Sequence, residues 1–103
     1  MTPSIKQIRY ICAVAEYKHF SKAAEACFVT QSTLSAAIQD LESQLGVIIF
    51  ERSKKTVLIT PSGEKLLAQA RKILGEIEDF VSLAKINQDV LTGEIRLGVI
   101  PTI

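Results

Sequence analysis

The chain has 103 residues, of which 48% are hydrophobic, and a formal net charge of +1. This length suits one small domain with a modest core plus an appendage, and it excludes a large enzyme. No apolar run is long enough to cross a bilayer, and no basic start leads into an apolar block with a cleavage site, so we expect neither an anchor nor a signal peptide and a cytoplasmic location.

The charge balance argues against a simple electrostatic DNA binder, because nucleic-acid-binding domains usually carry a strong basic excess. The distribution of charge weakens that objection. Residues 1–60 hold seven Lys and Arg against five Asp and Glu, whereas residues 61–91 hold four against five. Any DNA affinity should therefore depend on shape and dimerisation more than on net charge.

The first predicted element is a helix that starts after Ser4 and runs to about Tyr17. Ser4 and Gln7 have the spacing of a capping box. Apolar residues at helical spacing predict its inward face, which comprises Ile5, Ile8, Ile11 with Cys12, and Ala15. We expect this helix to support the two that follow it.

Two short helices separated by a tight turn come next, which is the pattern of a helix-turn-helix motif. Ser21 is predicted to cap the first of them, which runs to Cys27, and Phe28 and Val29 form the turn. Thr30 is predicted to cap the second. An inward apolar stripe on the second helix comprises Leu34, Ile38, Leu41 and Leu45.

The opposite face of the second motif helix, which Gly46 ends, carries small or hydrogen-bonding side chains without charge. These are Gln31, Ser32, Thr33, Ser35, Ala36 and Gln39. An amide can pair with adenine, small hydroxyls can reach bases or phosphates, and a capped helix start directs partly positive amides at phosphate. The pattern predicts a DNA-reading face. A solvated face in any three-helix domain would look the same, so the pattern alone leaves both interpretations open.

After the motif the pattern changes to two short strands around a turn. The strands are predicted at residues 47–50 and 57–60, and a charged segment, 51–56, joins them. The tip of this wing holds Arg52, Ser53, Lys54 and Lys55. Its cations can contact phosphates or enter a narrow minor groove, although a cation cluster in a turn is often only solvated. Arg52 could instead hold the wing through an acid such as Glu42 or Glu51.

A long helix is predicted over residues 61–91, with Thr60 as its cap and Pro61 in its first turn. One apolar stripe has the spacing of a coiled-coil seam and comprises Leu66, Ala70, Ile73, Ile77, Phe80 and Ala84. An adjoining stripe comprises Leu67, Leu74 and Val81. We expect the seam to form a homodimer and the adjoining stripe to pack on the chain's own domain. A helix packed only on its own domain, in a monomer, is the alternative.

Residues 94–103 alternate and then become β-branched, which predicts the opening strand of a further domain that the chain does not complete. The predicted organisation is therefore a winged helix-turn-helix domain at 1–60, a dimerising linker helix at 61–91, and a hinge with a first strand at 92–103. The fold class is mainly α.

No cofactor, metal site or catalytic constellation is expected. Cys12 and Cys27 lie where helical spacing predicts buried side chains, and a buried thiol acts as a small hydrophobe. Neither they nor His19, expected in a surface connection, have the spacing of a structural zinc site. The sequence also lacks a nucleophile with a base, paired acids in a cleft, or a phosphate-binding glycine loop. The chain is not expected to be an enzyme.

Along almost its whole length the chain resembles the LysR-type bacterial transcriptional regulators. The matching segments include residues 8–10 (IRY), 13–16 (AVAE), 20–24 (FSKAA), 29–32 (VTQS), 45–47 (LGV), 50–52 (FER) and 58–63 (LITPSG). One departure is Ser32, where the family usually has proline, and we expect a looser turn with an intact contact surface. The resulting DNA-binding set is Ser21, Thr30, Gln31, Ser32, Thr33, Ser35, Ala36, Gln39, Arg52, Lys54 and Lys55.

The resemblance implies more than the residues alone. It implies that the wing contacts DNA, that the linker helix pairs with a partner, and that a dimer or tetramer binds dyad-related half-sites in double-stranded DNA, with RNA polymerase as a further partner. It places effector sensing in an α/β domain beyond this chain. Residues 27–31 (CFVTQ) and 97–102 (LGVIPT) are most similar to the subgroup that senses hydrogen peroxide, whose sensing cysteines lie in the effector domain.

The alternative from another functional class is a helical protein–protein interaction module that does not bind DNA. In that case the exposed motif face and the wing would form a docking surface. Sequence-dependent retention on duplex DNA separates the two hypotheses.

Overall fold

The computed structural model describes residues 2–53 and 56–92, with side chains as far as residue 87. Its elements in chain order are α1 (Ile5–Tyr17), α2 (Phe20–Ala26), α3 (Gln31–Leu45), β1 (Phe50–Arg52), β2 (Val57–Ile59) and α4 (Pro61–Thr92). This order confirms the predicted three helices, two-stranded hairpin and long helix. The predicted strand at 94–103 and the wing residues Lys54 and Lys55 lie outside the described residues.

The start of α1 is the predicted capping box. Ser4 Oγ accepts a hydrogen bond from the Gln7 backbone amide at 3.1 Å, and Gln7 Oε1 accepts one from the Ser4 amide at 2.9 Å. The Gln7 Nε2 group also donates to the Ala37 carbonyl at 3.2 Å. This bond joins α1 to α3 and satisfies a polar side chain that is only 9% exposed.

The buried stripe of α1 differs from the predicted one. It comprises Gln7, Tyr10, Ile11, Val14 and Ala15. Ile5 is 51% exposed, so its predicted inward position is wrong, because it lies on the helix face opposite this stripe. Ile8 and Cys12, at the edges of the stripe, are half-buried.

The N-cap of α2 is His19, which corrects the prediction of Ser21. His19 Nδ1 accepts a hydrogen bond from the Lys22 amide at 3.2 Å, because a neutral imidazole nitrogen carries the lone pair that a cap requires. The helix therefore starts two residues earlier than a cap at Ser21 would allow, and Ser21 is its second residue. Its hydroxyl is thereby free for another partner.

The turn between the motif helices forms at Phe28 and Val29, as predicted. Phe28 has a positive φ of 60° and is 94% exposed, and the Val29 amide donates to the Ala24 carbonyl at 3.0 Å. Cys27, the C-cap of α2, is half-buried like Cys12, so full burial of the two thiols was a wrong prediction. Partial burial raises the pKa of both thiols despite opposing arginine charges, so both stay protonated at neutral pH.

The two ends of α3 follow the prediction. Thr30 Oγ1 accepts from the Thr33 amide at 3.1 Å, and Gly46 takes the left-handed conformation with φ of 70° that glycine adopts without strain. The inward stripe is buried at Leu34, Ile38 and Leu41. Leu45 was also expected there but is 36% exposed, because it is the last helical residue and the buried stripe ends one turn earlier.

The strands are shorter than predicted and the first one starts later. Glu42 Oε2 accepts hydrogen bonds from the Ile49 amide at 2.7 Å and the Phe50 amide at 3.1 Å. The segment before Phe50 is therefore held against the end of α3 rather than in a ladder. The antiparallel register pairs Phe50 with Ile59, Glu51 with Leu58 and Arg52 with Val57.

Thr60 caps α4 as predicted, because its Oγ1 accepts from the Gly63 amide at 2.9 Å. The Thr60 amide in turn donates to the Ile49 carbonyl at 3.0 Å. A Cβ added at Gly63 would overlap that carbonyl oxygen, so glycine permits the close approach between the helix start and the segment before β1.

The chain divides into two compact units, Met1–Lys72 and Ile73–Ile103. In the first unit, Leu67 and Ala70 are 0% and 2% exposed. The assignment of Ala70 to a dimer seam therefore needs correction, because its own chain already buries it; Leu66 is half-buried against the same core.

In the second unit, the described side chains of α4 are mostly exposed. Val81 is 47% exposed and Leu74 is half-buried, and the packing of this stripe on the chain's own domain stays a prediction. Within the described ranges, every helix is too short or too polar to span a lipid bilayer.

Candidate nucleic-acid interface

The first two turns of α3 present the predicted reading face to solvent. Leu34 and Ile38 are 0% exposed and fix the rotation of the helix about its axis. Five of the predicted contacts on this helix are exposed, namely Gln31, Ser32, Thr33, Ala36 and Gln39. Ser35 is half-buried and Thr30, just before the helix, is exposed. The chemistry of this face is hydrogen bonding without charge.

Ser21 and Gln31 join the exposed sides of the two motif helices. Ser21 Oγ donates a hydrogen bond to Gln31 Oε1 at 3.2 Å. This bond orients the amide, because its oxygen is held by α2 while the Nε2 group remains available as a donor. Ser21 therefore contributes to the site as a support for Gln31 rather than as a helix cap.

Arg52 connects the hairpin to α3. It is the last residue of β1 and not part of the turn, which corrects its predicted place at the tip of the wing. Its Nη1 donates to Ser35 Oγ at 3.0 Å, and its Cζ lies 4.3 Å from the centroid of the Phe20 ring. The Phe20 ring meets Phe50 edge to face, with centroids 6.1 Å apart and an interplanar angle of 80°. The predicted alternative was an acidic partner, Glu42 or Glu51. The described partners of Arg52 are instead Ser35 and Phe20, and the Glu42 carboxylate accepts from backbone amides.

These contacts form one groove between α2, α3 and the hairpin, which we call the motif groove. Its lining comprises Lys18, His19, Phe20, Ser21, Gln31, Ser35, Arg52, Ser53, Thr56 and Val57. Four residues of the predicted DNA-binding set therefore meet here: Ser21, Gln31, Ser35 and Arg52.

Sequence reasoning missed several residues of the motif groove. Lys18 and His19 come directly before the motif, and the presence of a cation and an imidazole at that junction was a usable signal. Thr56 and Val57 reach the groove from the hairpin, and no spacing in the sequence indicates it. Phe20 appeared in the sequence analysis only within the family-like segment 20–24.

The remaining predicted contacts that lie within the described residues do not line the motif groove. Ser32, Thr33 and Ala36 are exposed along α3. Gln39 lines a second groove beside β1, together with Ile48 and Leu58, which are 61% and 57% exposed. In the part of the chain that the structure describes, no group of three or more His, Cys, Asp or Glu side chains could hold a metal ion.

Known proteins resemble this chain in sequence and in fold. Residues 5–64 match the family model described as bacterial regulatory helix-turn-helix protein, lysR family. The HTH-type transcriptional regulator EstR of Acinetobacter baylyi is 44% identical over 101 residues, which are 98% of this chain and 34% of EstR. The hydrogen peroxide-inducible genes activator of Haemophilus influenzae is 42% identical over 100 residues, 97% of this chain and 33% of that protein. The chain thus spans about a third of the length of these relatives.

Solved structures share the fold, and two of them serve as examples. A full-length OxyR variant from Pseudomonas aeruginosa has a TM-score of 0.77 at 46% identity, over 81% of this chain and 28% of that chain. The BenM DNA-binding domain in complex with benA site 1 DNA has a TM-score of 0.77 at 34% identity, over 88% of this chain and 99% of that chain. The predicted winged helix-turn-helix fold is confirmed.

Proposed function

This chain belongs to the lysR family of bacterial regulatory helix-turn-helix proteins, and we propose that it is the part of a transcription regulator that binds double-stranded DNA sequence-specifically. The observation that carries the proposal is the motif groove, where the uncharged start of α3 lies beside an arginine from the hairpin. Gln31 and Ser35 supply hydrogen-bonding groups of the kind that read base edges, while Arg52 supplies positive charge of the kind that phosphates attract. The BenM domain, which has the same fold, forms a complex with DNA, and this supports DNA as the partner.

The buried face of α3 gives the reading face its rigidity. Leu34, Ile38 and Leu41 are at most 1% exposed, so α3 cannot rotate without disrupting the core. Thr30 caps α3, and the first backbone amides of the helix point toward a ligand that approaches its N-terminus. A helix fixed in this way can enter a major groove with its first residues against base edges.

Replacing Gln31 with alanine should lower the affinity for the specific site by about 1–3 kcal/mol and leave non-specific binding nearly unchanged. The reason is that the amide reads a base edge rather than a phosphate. Equilibrium binding to the specific duplex and to a random duplex measures both terms. Gln44→Ala is the matched control, because Gln44 is an exposed amide at the far end of the same helix. Equal losses on both duplexes would make Gln31 a positional contact only.

The wing lysines Lys54 and Lys55 are proposed to contact phosphates. Each phosphate contact adds roughly 0.9 to the slope of log affinity against log salt concentration, so a Lys54→Ala, Lys55→Ala double variant should flatten that slope by up to about two units. A Lys72→Ala, Lys85→Ala double variant removes the same charge from α4 and serves as the control. A slope that stays at the parent value in the wing variant would exclude the wing from the interface.

We further propose that the second unit forms a homodimer through one face of α4. Without Ala70, and with Leu66 already packed against the core, the seam reduces to Ile73, Ile77, Phe80 and Ala84. Ile73 and Phe80 are 37% and 74% exposed in the single chain. Apolar side chains of this size at heptad-like spacing gain about 1.5–3 kcal/mol each when a partner buries them. The dimer would place two reading helices on dyad-related half-sites.

For the whole regulator the proposal extends to functions outside this chain. Names of relatives such as the hydrogen peroxide-inducible genes activator support hydrogen peroxide as the effector and an oxidative stress response as the output. Effector sensing is proposed in a domain beyond the linker helix, with a tetramer as the full-length assembly and RNA polymerase as a partner. Because bacterial DNA is its ligand, the proposed location is the cytoplasm. Catalysis forms no part of the proposal.

A further inference from the structure

The hydrogen bond from Arg52 to Ser35 limits the roles that the Ser35 hydroxyl can take. A serine hydroxyl has one donor proton and two acceptor lone pairs. The Arg52 Nη1–H group occupies one lone pair at 3.0 Å. Within the described ranges the Ser35 hydroxyl donates to no protein group, so its proton remains available for a hydrogen bond to a ligand.

Phe20 holds the guanidinium in this position. The Arg52 Cζ atom lies 4.3 Å from the Phe20 ring centroid, within the range of a cation–π contact, and Phe50 supports the ring from its edge. Arginine suits such a place because its guanidinium is planar, permanently charged and able to stack on an aromatic face. A fixed positive charge therefore lies beside the Ser35 oxygen before any DNA arrives.

We infer that Phe20 and Arg52 position the Ser35 hydroxyl as a hydrogen-bond donor toward an acceptor atom on a base edge in the major groove. The acceptors there are purine N7, guanine O6 and thymine O4, whereas adenine N6 and cytosine N4 carry donors. The guanidinium polarises the Ser35 O–H bond outward and repels the positive hydrogens of an amino group. Phe20 and Arg52 are positioning residues in this scheme. The inference rests on the proposed function and names the specificity of one of its contacts.

The test deletes single groups from the bases of the site that this chain selects from a random duplex pool. Three kinds of analogue delete an acceptor: deazapurines lack N7, 2-aminopurine lacks the O6 of guanine, and a methylated pyrimidinone lacks the O4 of thymine. Two further analogues delete an amino group: unsubstituted purine replaces adenine, and unsubstituted pyrimidinone replaces cytosine. One acceptor deletion should weaken binding of the parent chain by about fivefold to tenfold. The same deletion should weaken binding of Ser35→Ala by less than about twofold, because the partner is already lost.

The positioning role has its own readout. Phe20→Leu removes the aromatic face and should reduce the coupling between Ser35 and that acceptor, whereas Phe20→Tyr keeps the face and should retain it. Thermal unfolding checks that both variants fold. If Phe20→Leu does not fold, Arg52→Lys replaces it, because lysine keeps the charge, lacks the planar fork and should also reduce the coupling.

Three results would overturn the inference while leaving the proposed function intact. In the first, Ser35→Ala couples to the deletion of an amino group. In the second, it couples to none of the base deletions. In the third, the coupling between Ser35 and the acceptor keeps its full size in the Phe20→Leu background or, where that variant does not fold, in the Arg52→Lys background. If the folded chain enriched no sequence from the pool, the proposed function would fail and the inference with it.

Discussion

Replacing Glu42 with alanine is expected to lower the free energy of unfolding by about 3 kcal/mol. One carboxylate oxygen accepts from both the Ile49 and Phe50 amides, at 2.7 Å and 3.1 Å. Hydrogen bonds to a charged group contribute about 1.5–3 kcal/mol each, and the variant leaves two amides without their acceptor. Chemical denaturation at one fixed chain concentration measures the change.

The Glu42 variant should also weaken DNA binding, because Phe50 begins the strand that ends at Arg52. Glu51→Ala is the matched control, since Glu51 is an exposed acid on the same hairpin and its loss should change stability by less than about 0.5 kcal/mol. Glu42→Gln keeps an acceptor oxygen and should recover part of the loss. Equal stability of Glu42→Ala and Glu51→Ala would show that the carboxylate does not hold the hairpin in place.

Replacing Ile77 with glutamate is expected to convert dimers to monomers and to lower the affinity for a duplex with two half-sites by at least about 100-fold. The substitution sets two like charges in an apolar seam that already neighbours Glu76 and Glu78. Binding to an isolated half-site should change little, because one reading helix and one wing remain. Sedimentation measures the assembly, and titration of the two duplexes measures the binding.

Ser82→Glu is the control for the Ile77 variant. Ser82 is an exposed residue of α4 on the face opposite the proposed seam, so the same charge there should leave the dimer intact. If Ile77→Glu sediments as the parent does, α4 is not the dimer interface and the seam proposal is wrong.

The helix boundaries could be predicted from the sequence because most of their signals are local. In the caps at Ser4, Thr30 and Thr60 the acceptor and the capped amide lie three residues apart. Gly46 ends α3 through its own φ of 70°. Ser21 failed as a cap because His19, two residues earlier, offers an equivalent acceptor, and local spacing alone does not rank the two.

The candidate site was only partly predictable, because its geometry depends on contacts between residues distant in the sequence. The polarity of α3 identified Gln31 and Ser35. By contrast, the stacking of Arg52 on Phe20 joins residues from a strand and a helix. The apolar content of residues 47–50 predicted a strand there, but Glu42 accepts hydrogen bonds from the Ile49 and Phe50 amides, so the strand begins only at Phe50. Ala70 fits a heptad seam equally well, and only the folded core shows that its own chain buries it.

Selection of bound duplexes from a random pool tests sequence-specific DNA binding most directly. The proposed function predicts that the parent chain enriches two dyad-related half-sites and that Gln31→Ala loses the preference at one base pair of each half-site while keeping the others. A pool that stays random after repeated selection with the folded chain would contradict DNA reading, and it would favour a helical protein–protein interaction module that uses the motif groove as a docking surface.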